Sequence, residues 1–262
     1  MGKDNLAIFI SGRGSNMQAL ARACFNGEVN ANVVLVLSDN PEAQGLVWAK
    51  ENGIPTEVVD YLSIMREAKE KGLEFELPEG FELSTIKETA GTGFEGKPFW
   101  WFFGRARAEA EIYQLLLKYE VTVAALAGFE KLLTPYFHQL FQPDLDIPRV
   151  LNIHPALLPS FPGQHGYEDT FNSGNRWGGI TVHYVDCGED TGPVIDQDVY
   201  PIRREWGDTL EIINRRGLEL EWKLYPKCIQ LHISGQLKVV ENESGIRIVE
   251  RLAEIHNHPK TM

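Results

Sequence analysis

No stretch of the 262-residue chain approaches the ~18 consecutive apolar residues of a membrane-spanning helix. The N-terminus also lacks the basic-then-apolar order of an export signal. The expected setting is therefore the cytoplasm, with no membrane partner. Cysteine is scarce. Cys24, Cys187 and Cys228 form neither a C-x-x-C pair nor a zinc set, so free thiols and no metal are expected. Basic residues are outnumbered, 25 Lys and Arg against 37 Asp and Glu, for a formal net charge of −12. That balance excludes a broad phosphate-neutralising surface, so nucleic acid is not an expected partner. A small phosphorylated ligand stays admissible, because one short cradle of amides can hold a phosphate inside an acidic protein. Internal repeats and low-complexity tracts are missing as well.

A 43% hydrophobic and 24% charged composition is that of a globular chain, long enough for one large domain or two small ones. Apolar runs at Leu6 to Ile10, Val33 to Leu37, Val121 to Ala127 and Val150 to Ile153 read as strands buried on both faces. Helical spacing over Ser15 to Phe25, Glu42 to Asn52 and Glu109 to Lys118 alternates with them. This order predicts an α/β fold, a Rossmann-like and mostly parallel sheet flanked by helices. Ile180 to Val185 and Val194 to Ile202 add mixed C-terminal strands joined by the Gly-rich loop Cys187 to Gly192. A helix capped by Asp208 is expected to continue through Leu224, followed by a small hairpin of Leu237 to Val240 and Ile246 to Val249. The tail from Ile255 reads as frayed. Ser63 to Phe103 fits this alternation poorly; its length and the run Phe99-Trp100-Trp101-Phe102-Phe103 suggest a lid, an interface or added secondary structure. The expected organisation is a domain over 1–236, with an inserted segment at about 63–103, and a C-terminal extension over 237–262.

Two places carry chemistry. Ser11-Gly12-Arg13-Gly14-Ser15-Asn16 lies between a strand and a helix, where small residues let backbone N–H groups converge on an anion at the helix N-terminus. It is no Walker A loop, and Met17 stands where a dinucleotide fingerprint needs its third glycine, so a monophosphate suits it better. A plain strand-to-helix turn with Ser15 as cap is the alternative. The second place is Asn152-Ile153-His154 at the end of an apolar strand, with both polar side chains on one face. An amide beside an imidazole can donate to a developing oxyanion and hold or move a proton. Asp190, in a loop of turn formers, and His183, on a strand, are titratable but unplaced by spacing alone.

These segments together resemble the phosphoribosylglycinamide formyltransferases, folate-dependent enzymes of purine synthesis. The matching pieces are Ile10 through Leu20, Leu126-Ala127-Gly128-Phe129, Leu151 through Pro155 with Leu158-Pro159, and Phe161-Pro162-Gly163. Thr181 through Val185, Asp190 through Ile195 and Leu224-Tyr225-Pro226 complete them. The resemblance implies transfer of the formyl group of 10-formyltetrahydrofolate to the amine of glycinamide ribonucleotide in de novo purine synthesis, with no metal. It implies that Asn152, His154 and Asp190 are catalytic, and that Gly12, Arg13, Gly14, Ser15, Asn16 and Glu221 bind the nucleotide. Arg105, Lys131, Leu132 and Leu133 would meet the folate, with His165 and His183 as outlying supports. The partners so implied are small-molecule substrates, and a homodimer is left open. Two departures stand out. Glu130-Lys131 replaces the family's Met-Arg pair, and Gly166-Tyr167 stands where some members have Thr-His. Competing readings are a formyltransferase acting on another amine such as an amino sugar, a formyl-folate hydrolase, and a non-catalytic nucleotide- or folate-binding module.

Overall fold

A computed structural model of the protein describes residues 2–71 and 96–252. Its strands β1 (Asp4–Ile10), β2 (Ala31–Ser38), β3 (Thr56–Val58), β4 (Val123–Leu126), β5 (Val150–His154), β6 (Trp177–Tyr184) and β7 (Val194–Pro201) form a seven-stranded sheet in the order β3-β2-β1-β4-β5-β6-β7. Except for β3, which no apolar run marks, these are the strands the sequence predicts. Among the described residues no helix is long and apolar enough to cross a membrane.

The chain divides into two compact units. The first comprises residues 1–18 and 32–143. There β1 pairs in parallel with β4, Leu6 opposite Val123 and Phe9 opposite Leu126, and β2 pairs in parallel with β3. Leu6 through Ile10 are completely buried, which explains why this strand reads as an unbroken apolar run. Helices α2 (Gln44–Glu51), α3 (Tyr61–Lys71), α4 (Phe99–Lys118) and α5 (Pro135–Phe141) belong here, with the start of α1 (Ser15–Phe25). The spacing expects α4 only from Glu109; it starts ten residues earlier, so the aromatic run forms its first turns. Residues 72–95 of the inserted segment, and the tail from Ile255, lie outside the described residues.

The second unit comprises residues 19–31 and 144–262. Here β5, β6 and β7 are successively antiparallel, with a register shift at Val182/His183. Helix α6 (Gly166–Asn172) precedes β6, and α7 (Leu210–Ile233) follows a short 3-10 turn at Arg204–Trp206. The N-cap of α7 is Thr209, which accepts a hydrogen bond from Ile212 N, and not Asp208. Asp208 instead accepts from Arg203 N at 2.6 Å and pairs with Arg216. The expected terminal hairpin forms from β8 (Leu237–Glu241) and β9 (Arg247–Arg251). Arg247 reaches Asp186 at 3.1 Å and Arg251 reaches Asp196 at 2.5 Å, so the hairpin is tied to the loop and strand after β6.

Glu109 is a buried carboxyl of the first unit. It is 0% exposed, and its carboxyl accepts from Thr134 N at 2.8 Å and meets Thr134 Oγ1 at 2.5 Å, serving the N-terminus of α5 from a neighbouring helix. Burial is the largest influence and pushes its pKa up from 4.5 to about 7, against the opposing charge of Arg105 and the Thr134 hydrogen bonds. A carboxyl raised in the fold binds its proton more tightly folded than unfolded. Its contribution is complete below pH 4.5 and is lost as pH rises to about 7. Urea unfolding is expected to show a loss on the order of 3 kcal/mol across that window. Glu109→Gln should flatten that slope, and an unchanged slope in the variant would contradict the assignment.

Candidate active site

In the first unit the carboxyl ends of β1, β2 and β4 come together at the point where strand order reverses around β1, the usual ligand crevice of an open α/β sheet. Ser11, at the end of β1, donates to Asp39 Oδ1 at 2.5 Å and accepts from Glu130 N at 2.8 Å, while its own N–H meets Gly128 O. Lys131 Nζ lies 3.1 Å from Asp39 Oδ2, a half-buried lysine paired with a buried carboxylate. Helix α1 begins at Ser15, one residue beyond the capping position, and Gln18 N bonds to Gly14 O. Ser15 is thus not the cap. Gly14 has φ +72°, and a Cβ there would lie 2.9 Å from Met17 Cε and 3.2 Å from Gly45 Cα. Gly12 and Arg13 are exposed, Ser15 half-buried and Asn16 buried. The loop therefore turns tightly at Gly14 and leaves its two preceding residues open to solvent, as an anion cradle requires.

Arg105 is only 6% exposed. Its guanidinium stacks over Tyr61 and Trp101 at 5.1 and 5.2 Å and donates to Leu132 O. One helical turn on, Glu109 holds Thr134. The backbone from Leu132 to Thr134 is thus held from α4 at both ends, and Arg105 touches that backbone rather than open solvent.

The second unit holds Asn152, His154, His183 and Asp190. Asn152 and His154 project from one face of β5, and Asn152 sits directly across from His183 on β6. Asp190 lies in the loop before β7 with φ +54°, a left-handed conformation that Asp tolerates better than most side chains. That loop is closely built. Asp186 Oδ1 accepts from Gly188 N and from Thr191 Oγ1, and a Cβ on Gly192 would collide with Tyr184 O. Asp190 Oδ2 meets His154 Nδ1 at 3.2 Å and accepts from Gly163 N at 2.8 Å; Asp190 Oδ1 lies 3.4 Å from Asn152 Nδ2 and 3.5 Å from His183 Nε2. His154 Nε2 meets Phe161 O at 2.7 Å. One short loop, Phe161 to Gly163, therefore offers a carbonyl to the histidine and an amide to the aspartate.

Burial lowers the His154 pKa, opposed by the Asp190 charge and the Phe161 carbonyl. Burial of Asp190 works to raise its pKa, but the contacts with His183, Gly163 N–H and His154 outweigh it and hold the carboxyl below its ordinary value. An ionised carboxylate beside an imidazole buried on a strand end is an arrangement for holding and moving one proton. Spacing finds the Asn–His pair; the contact with Asp190, 36 positions away, required the fold.

The remaining expected residues fall as follows. Glu221, on α7, is buried and accepts from Tyr167 OH at 2.5 Å. The Tyr167 ring occupies the space beside Gly217, where a Cβ would collide with it. Tyr167, at a position of departure from the family pattern, is thus a contact of Glu221 that sequence reasoning missed. His165 is exposed and lies 4.0 Å from Glu168. Leu133 is buried, with Lys131 and Leu132 half-buried. Among the described residues no group of three or more His, Cys, Asp and Glu is arranged to hold a metal ion.

Comparison with known proteins gives a consistent result. The formyl transferase family pattern matches residues 4–229. The phosphoribosylglycinamide formyltransferase of Haemophilus influenzae is 30% identical over 237 residues, 90% of this chain and 91% of that one. That of Bacillus subtilis is 32% identical over 224 residues, 86% and 92% of the two chains. The trifunctional purine biosynthetic protein adenosine-3 of Bos taurus is 30% identical over 240 residues, but the chain spans only 19% of its length. Among solved structures, glycinamide ribonucleotide transformylase 1 from Symbiobacterium toebii superposes with a TM-score of 0.73 at 29% identity, covering 95% of this chain and 94% of that one. A formyltetrahydrofolate deformylase from Pseudomonas syringae shares the fold at 20% identity and a TM-score of 0.68, with 66% of its chain covered.

Proposed function

We infer the function from one premise: the chain belongs to the formyl transferase family, whose pattern spans most of its length. It transfers the formyl group of formyltetrahydrofolate to the amine of glycinamide ribonucleotide, a step of purine biosynthesis. The observation that carries this reading is mutual coverage. The match spans about nine-tenths of both this chain and a relative named for that reaction. The deformylase likeness is a likeness of fold only.

The donor is proposed to be the 10-formyl folate. Residues 1–236 would form the catalytic domain, with 63–103 inserted and 237–262 as an extension. Attack of the amine on the formyl carbon places negative charge on the former carbonyl oxygen and leaves a proton to be removed from nitrogen. His154 Nε2 faces a carbonyl, which only accepts, so it carries a proton. That N–H would exchange the Phe161 carbonyl for the developing oxyanion, a contribution of about 3 kcal/mol. Asp190, at the other ring nitrogen, favours the imidazolium and would take up the amine proton through water. Asn152 lies beside both. The Gly12 to Asn16 loop would hold the substrate phosphate and Glu221 its ribose hydroxyls, while the Lys131 to Leu133 backbone, held in place by Arg105, would flank the pterin.

The test is folate release by purified protein given 10-formyltetrahydrofolate and glycinamide ribonucleotide. No transfer above background by folded protein would overturn the reading. Formate release without an acceptor would make it a hydrolase, and transfer only to an amino sugar would move the acceptor. For the loop, Gly14→Ala forces a side chain into a left-handed backbone at a cost of about 1–2 kcal/mol. The expected result is a KM for the ribonucleotide raised about tenfold with kcat and the folate KM unchanged. Equal effects on both substrates would show that the loop does not hold the phosphate.

A further inference from the structure

Glu221, on α7, is only 3% exposed. A carboxylate so enclosed keeps its charge only where O–H or N–H donors meet it. Two phenols lie near enough to feel that charge, Tyr167 and Tyr200. Tyr167 donates to Glu221 Oε1 at 2.5 Å, whereas Tyr200 Oη has no hydrogen-bond partner among the described residues. Burial and then the Glu221 charge push the Tyr167 pKa up, so its phenol stays protonated and remains a donor. Two glycines bring it there. Gly166 opens α6 against the Pro155 backbone, where a Cβ would lie 3.0 Å from Pro155 O. Gly217 is unfavourable inside a helix, but a Cβ in its place would lie 2.3 Å from the Tyr167 ring and hydroxyl. The Gly166-Tyr167 departure from the family pattern and the helix glycine thus serve one contact.

We propose that Tyr167 is a positioning residue that holds the Glu221 carboxylate for the ribose diol of the nucleotide and so selects that sugar. The inference rests on the formyl-transfer reading above, with Glu221 as the ribose contact, and adds what makes the contact selective. A carboxylate has about four acceptor positions and a soft terminal torsion. The phenol takes one position on Oε1 and fixes the carboxylate plane, so vicinal hydroxyls meet acceptors already set for them. A sugar without those hydroxyls would cover the carboxylate and leave acceptor positions unmet, a costlier outcome than the loss of the hydrogen bonds alone. Tyr167 touches the carboxylate and not the reacting atoms. Its loss should weaken ribonucleotide binding and leave the chemical step alone.

Calorimetry on the whole protein, without folate, tests this independently of turnover. Tyr167→Phe keeps the ring beside Gly217 and Tyr200 and removes only the hydroxyl. It is expected to weaken glycinamide ribonucleotide binding about tenfold, the loss of one hydrogen bond to a charged group. Binding of the analogue that lacks both ribose hydroxyls should not change. Gly217→Ala keeps the phenol but takes its seat; it is expected to give the same selective loss, and it stands in if the first variant does not fold. In the transfer assay Tyr167→Phe should raise the ribonucleotide KM with kcat and the folate KM unchanged. Added to Glu221→Ala it should cost nothing more, because it acts through that carboxylate. Equal losses for the two nucleotides would make Tyr167 a packing residue, and multiplied losses in the double variant would make it a separate contact; either overturns the proposal. If wild-type protein transfers no formyl group, the formyl-transfer reading fails while the comparison of the two nucleotides still decides the role of Tyr167.

Discussion

His154→Ala is expected to lower kcat for formyl transfer by roughly 10²–10⁴-fold, the range for a positioned acid–base group, while ribonucleotide affinity changes little. His154 is 3% exposed at the end of β5 and meets an acceptor at each ring nitrogen, Phe161 O at 2.7 Å and Asp190 Oδ2 at 3.2 Å. The carboxylate at Nδ1 holds the ring so that Nε2 presents the proton. Truncating a buried ring also removes packing, so some loss of stability accompanies the change. Steady-state kinetics below the melting transition, with ribonucleotide affinity measured by calorimetry, separates the two effects. A kcat that stays within tenfold of wild type in folded protein would remove His154 from the reacting centre. A parallel loss of binding would make its role structural.

Much of the frame around that histidine is legible in the sequence, because burial on both faces leaves an apolar run that no other element imitates at this length. β1, β2, β4 and β5 are of this kind, and α1 falls where its spacing puts it, Ser15–Phe25. The short elements are hidden. β3 has three residues, and α5 and α6 seven each, fewer than two periods of a helix face. The start of α4 is masked for another reason: five consecutive aromatics show no periodicity, yet Phe103 is buried while Phe99 is exposed. Glu109 misleads in the opposite sense, since a glutamate on a helix reads as a solvent-facing charge but is enclosed to hold the end of α5.

The site shows the same division. Gly14 and the Asn152–His154 pair are local features, set by a turn and by strand alternation, and the sequence displays them. The contacts of Asp190 are not local. They depend on the antiparallel return of β6, on a left-handed residue in a loop whose Gly192 admits no side chain, and on the Phe161 to Gly163 loop. Tyr167 against Glu221 likewise needs α6 and α7 to be in contact, with Gly217 leaving room for the ring. Residues joined only by tertiary contact are visible in sequence through family resemblance or not at all.

Asp190→Asn isolates electrostatics from shape. The amide is nearly isosteric and its oxygen can still accept from Gly163 N–H, but it carries no charge to hold a proton on His154. The expected loss in kcat is about 10²–10⁴-fold, since the group that takes up the amine proton is gone. The pH profile gives a second, independent result. In the wild-type protein burial lowers the His154 pKa and the Asp190 charge works against that lowering. Without the charge the pKa falls further, so the imidazolium is lost at lower pH. The alkaline decline of kcat/KM should therefore begin at a lower pH in the variant than in the wild type. Stability gives the opposite sign. Asp190 has a lowered pKa, so its ionised contacts stabilise the fold above the unfolded carboxylate pKa and are lost as pH falls through the folded value. Asp190→Asn should then cost stability at pH 7 and progressively less as the pH falls below the carboxylate's ordinary value. A variant that keeps the wild-type pH profile and loses only kcat would show that Asp190 moves the proton without setting the charge of His154.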